Sequence, residues 1–151
     1  MIDIPGGEPL SLEHLVLDVN GTLSDRGELG RGVAPRLRRL GAGLDVWLLS
    51  ADTFGTLAGI ASSLGVGSRQ VASGEEKVAH LRELDATTCV AIGNGANDRA
   101  MLEEAALGIA VLGPEGTSFA AIAAADVVCR SIVEALELLL DDRALAATLR
   151  R

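Results

Sequence analysis

Leu12-Glu13-His14-Leu15-Val16-Leu17-Asp18-Val19-Asn20-Gly21-Thr22-Leu23 decides the fold. Residues 12–17 form an apolar run rich in Leu and Val and too short for a helix. It ends abruptly at a carboxylate and an Asn-Gly pair. Such a run suits a strand buried on both faces of a parallel sheet. Asn20-Gly21 alone would read as a hairpin turn, but residues 22–30 make a poor second strand.

The pattern repeats along the chain. Further apolar runs lie at 44–49, 70–72 (a weak one), 88–92, 107–112 and 126–129. Between them fall helical stretches. Val33, Leu37 and Leu40 are spaced for a helix over 33–40, and Val78, Leu81 and Leu84 for one over 74–84. Others are expected at 53–64 behind Asp52 as N-cap, 98–106, 117–125, 131–140 behind Ser131, and 141–151. Strands alternating with helices predict an α/β fold, a three-layer Rossmann-like sandwich around a mostly parallel sheet. We expect one domain over residues 1–151, with a loose lead-in at 1–10.

In such sheets the ligand crevice lies beyond the strand C-termini. The residues there are Asp18 to Leu23 after the first run, Ser50-Ala51-Asp52 after the second, Lys77 after the third, and Gly93-Asn94-Gly95-Ala96-Asn97-Asp98 after the fourth. A carboxylate, a hydroxyl, an ammonium and another carboxylate therefore meet on one edge. A carboxylate can attack phosphorus and form an aspartyl-phosphate. Two anions repel, so the attack calls for a cation, and Mg²⁺ favours carboxylates together with phosphate oxygens. Ser50 and backbone N–H groups suit phosphate oxygens, and Lys77 suits the transferring charge. Other phosphate motifs fail: there is no Gly-Lys-Ser/Thr, and Gly93-Asn94-Gly95 lacks a third glycine.

Composition narrows the partners. The 151 residues carry a formal charge of −8, 48% apolar residues and 2% aromatics, so Ala, Leu and Val must build the core. An acidic chain argues against nucleic acid and anionic membranes. Arg31, Arg36, Arg38 and Arg39 read as a solvated helix face. No run approaches a membrane span and no signal peptide is evident. Cys89 and Cys129 sit in apolar runs and read as reduced thiols of a cytoplasmic protein. His14 and His80 are isolated, so a zinc site is not expected.

These residues carry a family resemblance. Asp18 to Leu23 resembles the first motif of the haloacid-dehalogenase-like superfamily, D-x-D-G-T-L. Ser50 stands at the second motif, Lys77 at the third, and Gly93 to Asp98 with Arg99-Ala100-Met101-Leu102 resembles the fourth, G-D-G-x-N-D-x-x-M-L. The likeness covers about residues 12–140 and is nearest to the phosphorylation domain of P-type ATPases, with D-K-T-G-T, T-G-D and G-D-G-x-N-D. It implies a Mg²⁺-dependent phosphohydrolase in which Asp18 is phosphorylated, with Asn20, Ser50 and Lys77 completing the catalytic set. Phosphate would be held by Asn20, Gly21, Ser50, Ala51, Lys77 and Asn97. The metal would be held by Asp18, the Asn20 carbonyl, Asn94 and Asp98. Asp52 would orient Lys77 or cap its own helix, and we favour the cap. The gaps from Asp18 to Ser50 and from Ser50 to Lys77 are too short for a large cap domain, leaving a small flap around residues 24–32. A capless fold of this kind is open to homo-oligomerisation, with a small phosphorylated substrate or a protein partner.

Two departures stand out. Most phosphatases of the superfamily have Asp where Asn20 stands, as general acid and base, a role worth roughly 10²–10⁴-fold. P-type ATPases lack that Asp too. Asn94 replaces a metal-binding Asp and removes one negative charge, so weakened Mg²⁺ affinity is expected. The alternatives are thus a slow, ATPase-like phosphoacceptor read by a partner, and a binding module that has lost its chemistry.

Overall fold

The computed structural model describes residues 1–25, 28–52 and 55–151. A six-stranded parallel sheet runs through its centre in the order β5-β4-β1-β6-β7-β8. Its strands are β1 (His14–Asp18), β4 (Asp45–Ser50), β5 (Gly67–Gln70), β6 (Cys89–Gly93), β7 (Leu107–Val111) and β8 (Val127–Cys129). β2 (Ser24–Asp25) and β3 (Glu28–Leu29) pair antiparallel where the flap was expected. Arg26 and Gly27, at the middle of that flap, lie outside the described residues.

Among the described residues, seven α-helices cover the sheet: α1 (Val33–Leu40), α2 (Leu57–Leu64), α3 (Gly74–Leu84), α4 (Arg99–Glu104), α5 (Phe119–Ala124), α6 (Ile132–Leu139) and α7 (Asp142–Leu149). Side chains alternate across each strand, so β1 sends Leu15 and Leu17 to one face and Val16 to the other. The first face packs with α1, α2, α6 and α7 through Leu37, Leu57, Leu136 and Leu145. The second packs with α3, α4 and α5 through Leu81, Met101, Leu102 and Ala121. The expected three layers are present.

The helices start where short polar side chains satisfy free N–H groups. Ser73 accepts from Glu76 N–H at α3, Ser131 from Glu134 N–H at α6, and Asp141 from Arg143 and Ala144 N–H at α7. The expected helix over 53–64 begins only at Leu57. Asp52 adopts a left-handed φ of 57° and still accepts from the Leu57 N–H at 2.9 Å. Thr56, not Asp52, is the N-cap, although the Asp52 side chain takes up the first helical N–H; Thr53 and Phe54 lie outside the described residues.

Three other expectations shift. The weak strand at 70–72 lies at Gly67–Gln70 instead, because an edge strand of Gly-Ser-Arg-Gln has no apolar signature and is set by pairing with β4. The lead-in is not loose: Ile4 is buried, Ile2 pairs with Leu10, and the Pro5 carbonyl accepts from Arg151 N–H. Arg36 leaves the solvated set to pair with Glu137 on α6, while Arg31, Arg38 and Arg39 are exposed. Both cysteines are free, and burial pushes the Cys89 thiol up to about 11. Among the described residues, no helix is long and apolar enough to cross a membrane.

Candidate active site

The sheet reverses its strand order beside β1: β4 and β5 extend one way, and β6, β7 and β8 the other. A cavity of about 630 Å³ opens there, beyond the strand C-termini. It gathers Asp18, Asn20, Ser50, Ala51, Lys77, Asn94 and Asn97, so nearly every candidate reaches one place. Gly21 is not part of the lining, but a Cβ there would come within 3.0 Å of Asn94 Nδ2.

Asp18 is the last residue of β1 and shares the parity of Val16, which packs on the α3 face. Lys77 lies in the first turns of α3 and extends into the crevice from that face. Its ammonium donates to Asp18 Oδ1 at 2.8 Å and to Asp98 Oδ1 at 2.6 Å. All three side chains are buried, Asp98 completely. One cation thus serves two carboxylates away from bulk water. Burial, then the charge of Asp98, raises the Asp18 carboxyl to about 6 against the pull of Lys77. Burial also works against the Lys77 charge, but Asp18 and Asp98 offset it and hold the ammonium above its ordinary range.

Asp98 was expected among the metal ligands. Its Oδ1 takes Lys77, while its Oδ2 accepts the N–H groups of Asn94 and Gly95 at 3.0 and 2.9 Å. Both Asp98 oxygens are thus hydrogen-bonded, and the side chain has no exposure. It fixes the β6–α4 turn and aims Lys77.

Asp18 and Asn94 both line the cavity and share one neighbour. The Thr22 hydroxyl lies 3.1 Å from Asp18 Oδ2 and 3.0 Å from Asn94 Oδ1. A hydroxyl has one hydrogen to give. Two buried oxygens therefore compete for one proton, and one lone pair is left unmatched in a site already richer in carboxylate than in cation. That is the donor chemistry of a hard cation. Asp18, the backbone carbonyl of Asn20 and the Asn94 amide oxygen fit Mg²⁺ in type. Among the described residues, no cluster of three or more Asp, Glu, His or Cys is placed to hold a metal, so the set depends on neutral oxygens.

Asn94 is oriented by its neighbours. Its Nδ2 donates to the Gly116 carbonyl at 2.9 Å, and its backbone carbonyl accepts from Ser118 N–H. A carbonyl can only accept, so the amide nitrogen must face Gly116 and the oxygen must face Thr22 and Asp18.

Ser50 closes the opposite wall. Its hydroxyl oxygen accepts from Asn20 Nδ2 at 3.3 Å and from Asp52 N–H at 2.9 Å. Neither bond uses the hydroxyl hydrogen, which is free to be donated into the cavity. Asn97 is exposed at the rim, in the 3-10 turn Ala96–Asp98.

The sequence reading missed the turn after β7 and the role of Thr22. Glu115, Gly116, Thr117 and Ser118 line the cavity, as do Val71, Ala72 and Ser73. The signal was present for the turn, since residues 113–118 follow a strand end like the other candidates. Thr22 lay inside the first motif but showed nothing of its bridging position.

A profile of haloacid dehalogenase-like hydrolases matches residues 72–134, the stretch that carries Lys77, Asn94 and Asp98. An uncharacterized protein of Methanocaldococcus jannaschii is 42% identical over 84 residues, covering 51% of this chain and 90% of that protein. The fold is similar to that of 3-deoxy-D-manno-octulosonate 8-phosphate phosphatase from Moraxella catarrhalis, solved with magnesium, phosphate and the sugar acid. That likeness has a TM-score of 0.71 and 21% identity over 92% of this chain and 94% of that one. A zinc-transporting PIB-type ATPase in its E2.Pi state is 28% identical over 80% of this chain, with a TM-score of 0.63, although the match spans 21% of the transporter. By sequence and by fold, the chain belongs to the haloacid dehalogenase-like hydrolases.

Proposed function

We propose that this chain is a Mg²⁺-dependent phosphohydrolase that works through an aspartyl-phosphate on Asp18, as a single capless domain. The observation that carries the reading is the buried Lys77 ammonium bonded to both Asp18 and Asp98 at the crevice of the sheet. The likeness of the fold to a sugar-phosphate phosphatase and to a transport ATPase supports it.

A phosphoryl group entering the cavity meets Asp18 as nucleophile. Lys77 balances the charge gathering on the attacked oxygens, and the free Ser50 hydrogen binds one of them. The backbone N–H of Ala51 is a candidate for another, with Asn97 at the rim, whereas the Gly21 N–H already donates to the Ser24 carbonyl. Mg²⁺, when bound by Asp18, the Asn20 carbonyl and Asn94, would neutralise the repulsion between nucleophile and phosphate. The leaving oxygen departs as Asp18 bonds to phosphorus, and water then attacks phosphorus to free phosphate and restore Asp18. Asn20 cannot exchange a proton with either oxygen, so the second step lacks general-base help from that position.

The assay is Mg²⁺-dependent phosphate release from a panel of phosphoesters and ATP, with Asp18→Asn as control. Release lost in the variant supports the proposal. Equal release from the variant refutes it.

Asn20 favours a second reading, a slow phosphoacceptor whose phosphorylated state is the product that matters. Radiolabel retained on Asp18 with little phosphate released would select it. Labelling equal in Asp18→Asn would reject both.

A further inference from the structure

The turn after β7 is built against the first motif. The Gly116 N–H donates to the Gly113 carbonyl across Pro114 and Glu115, closing a tight turn with Pro where turns prefer it. A Cβ on Gly113 would clash with the Gly21 carbonyl, so the turn and the Asp18–Thr22 loop touch backbone to backbone. The same turn supplies the carbonyl that orients Asn94.

Glu115 sits at its tip and lines the cavity. Its Oε2 lies 2.7 Å from the position a Cβ on Gly21 would take, and Asn94 Nδ2 lies 3.0 Å from that same position. The carboxylate therefore overhangs Gly21 beside Asn94, at the end of the cavity where the Asp18 and Asn94 oxygens compete for one hydroxyl hydrogen. An exposed acid at the mouth of a phosphate site would repel its own substrate unless a cation lay between them.

We infer that Glu115 supplies the negative charge that Asn94 does not, and so completes the cation site from the turn after β7. The inference rests on the metal-dependent reading above. Mg²⁺ keeps several waters in most protein sites, so a carboxylate within reach of one such water is sufficient. The turn thus has two coupled duties: Gly116 orients the neutral ligand, and Glu115 supplies the charge.

The test is metal affinity, measured without turnover. Mn²⁺ binding by electron paramagnetic resonance and Mg²⁺ binding by calorimetry would be compared for the wild type, Glu115→Gln, Glu115→Asp and Asp18→Asn. A unit charge removed one water layer from a divalent cation weakens binding about tenfold even at the dielectric of bulk water. We expect Glu115→Gln to bind about tenfold more weakly, Glu115→Asp to recover part of the loss, and Asp18→Asn to lose the site. Unchanged affinity in Glu115→Gln overturns the inference but leaves the phosphohydrolase intact, and reduced turnover at unchanged affinity gives Glu115 to proton transfer instead. A wild type that binds neither ion refutes the metal-dependent reading and this inference together.

Discussion

Replacing Asp18 by Asn should make the metal-free protein more stable while removing its chemistry. The buried site holds one ammonium against two carboxylates, and Asp18 is raised from 3.8 to about 6 by burial and by Asp98. A raised carboxyl binds its proton more tightly folded than unfolded. The penalty is therefore absent below about pH 4, grows as pH rises through the interval, and is complete above about pH 6. A rise of about two units corresponds to roughly 3 kcal/mol at 1.36 kcal/mol per unit, an upper bound for a site that relaxes around its charges. Asn is close to isosteric. Its oxygen can still accept from Lys77 and its nitrogen can donate to the Thr22 hydroxyl. A gain of about 1–3 kcal/mol, near 5 °C for a domain of this length, is expected at pH 8 in EDTA. Thermal melts at pH 8 and pH 4 would show the gain at the first and not at the second. Mg²⁺ should then raise the wild-type melting temperature and leave the variant unmoved, because only a ligand that binds the folded state stabilises it. A variant that melts at or below the wild type at pH 8 refutes the charge argument.

Other perturbations separate the remaining parts of the site. Asn20→Asp should shorten the lifetime of the phosphorylated protein by about 10²-fold or more, read by decay of label; no change counts against the role given to Asn20. Asn94→Asp sets a carboxylate oxygen against the Gly116 carbonyl, so it should lower metal-free stability by about 1–3 kcal/mol in urea titrations while tightening Mg²⁺ binding. His80 is buried edge-on to Trp47, and among the described residues neither ring nitrogen has a hydrogen-bond partner. Burial, then the charge of Arg69, holds its pKa below the ordinary value, so stability should fall as pH drops below about 6.5, and His80→Met should flatten that acid limb in urea titrations.

Much of the fold was legible because its strands are buried on both faces. Runs such as Leu15-Val16-Leu17 and Val90-Ala91-Ile92 have no other use in a chain of this size, and the ends of α1 and α3 matched their apolar spacing. The edge strand β5 was misplaced by three residues. Gly67 must lie flat against the Trp47 ring, a constraint visible only once β4 and β5 are adjacent. The site was legible where a side chain sat directly after a strand. Its charge logic was not, because hydrogen-bond saturation is a property of geometry. Asp98, bonded to Lys77 and two backbone N–H groups, and Glu115, overhanging Gly21, are both carboxylates, and sequence position alone does not show what either one touches.

The two Asn substitutions are therefore not equivalent. Asn94 is built in, with its nitrogen held by Gly116, its oxygen accepting from the Thr22 hydroxyl that also bonds Asp18, and the Glu115 carboxylate beside it from the turn after β7. The cation end of the site thus has substitutes for what it lost. Among the described residues, Asn20 has only Ser50 as a side-chain partner, at 3.3 Å, and that bond donates a proton without offering any group that could exchange one. Attack on the phosphate needs charge balance, which Lys77 supplies with the metal. Release of Asp18 by water needs a base, which Asn20 cannot be. The second step should consequently limit turnover, and phosphorylated Asp18 should accumulate under steady-state conditions. If rapid quenching shows a substoichiometric trace of labelled protein while phosphate release runs at full rate, another group in the cavity is taking the proton, and the division of roles argued here fails.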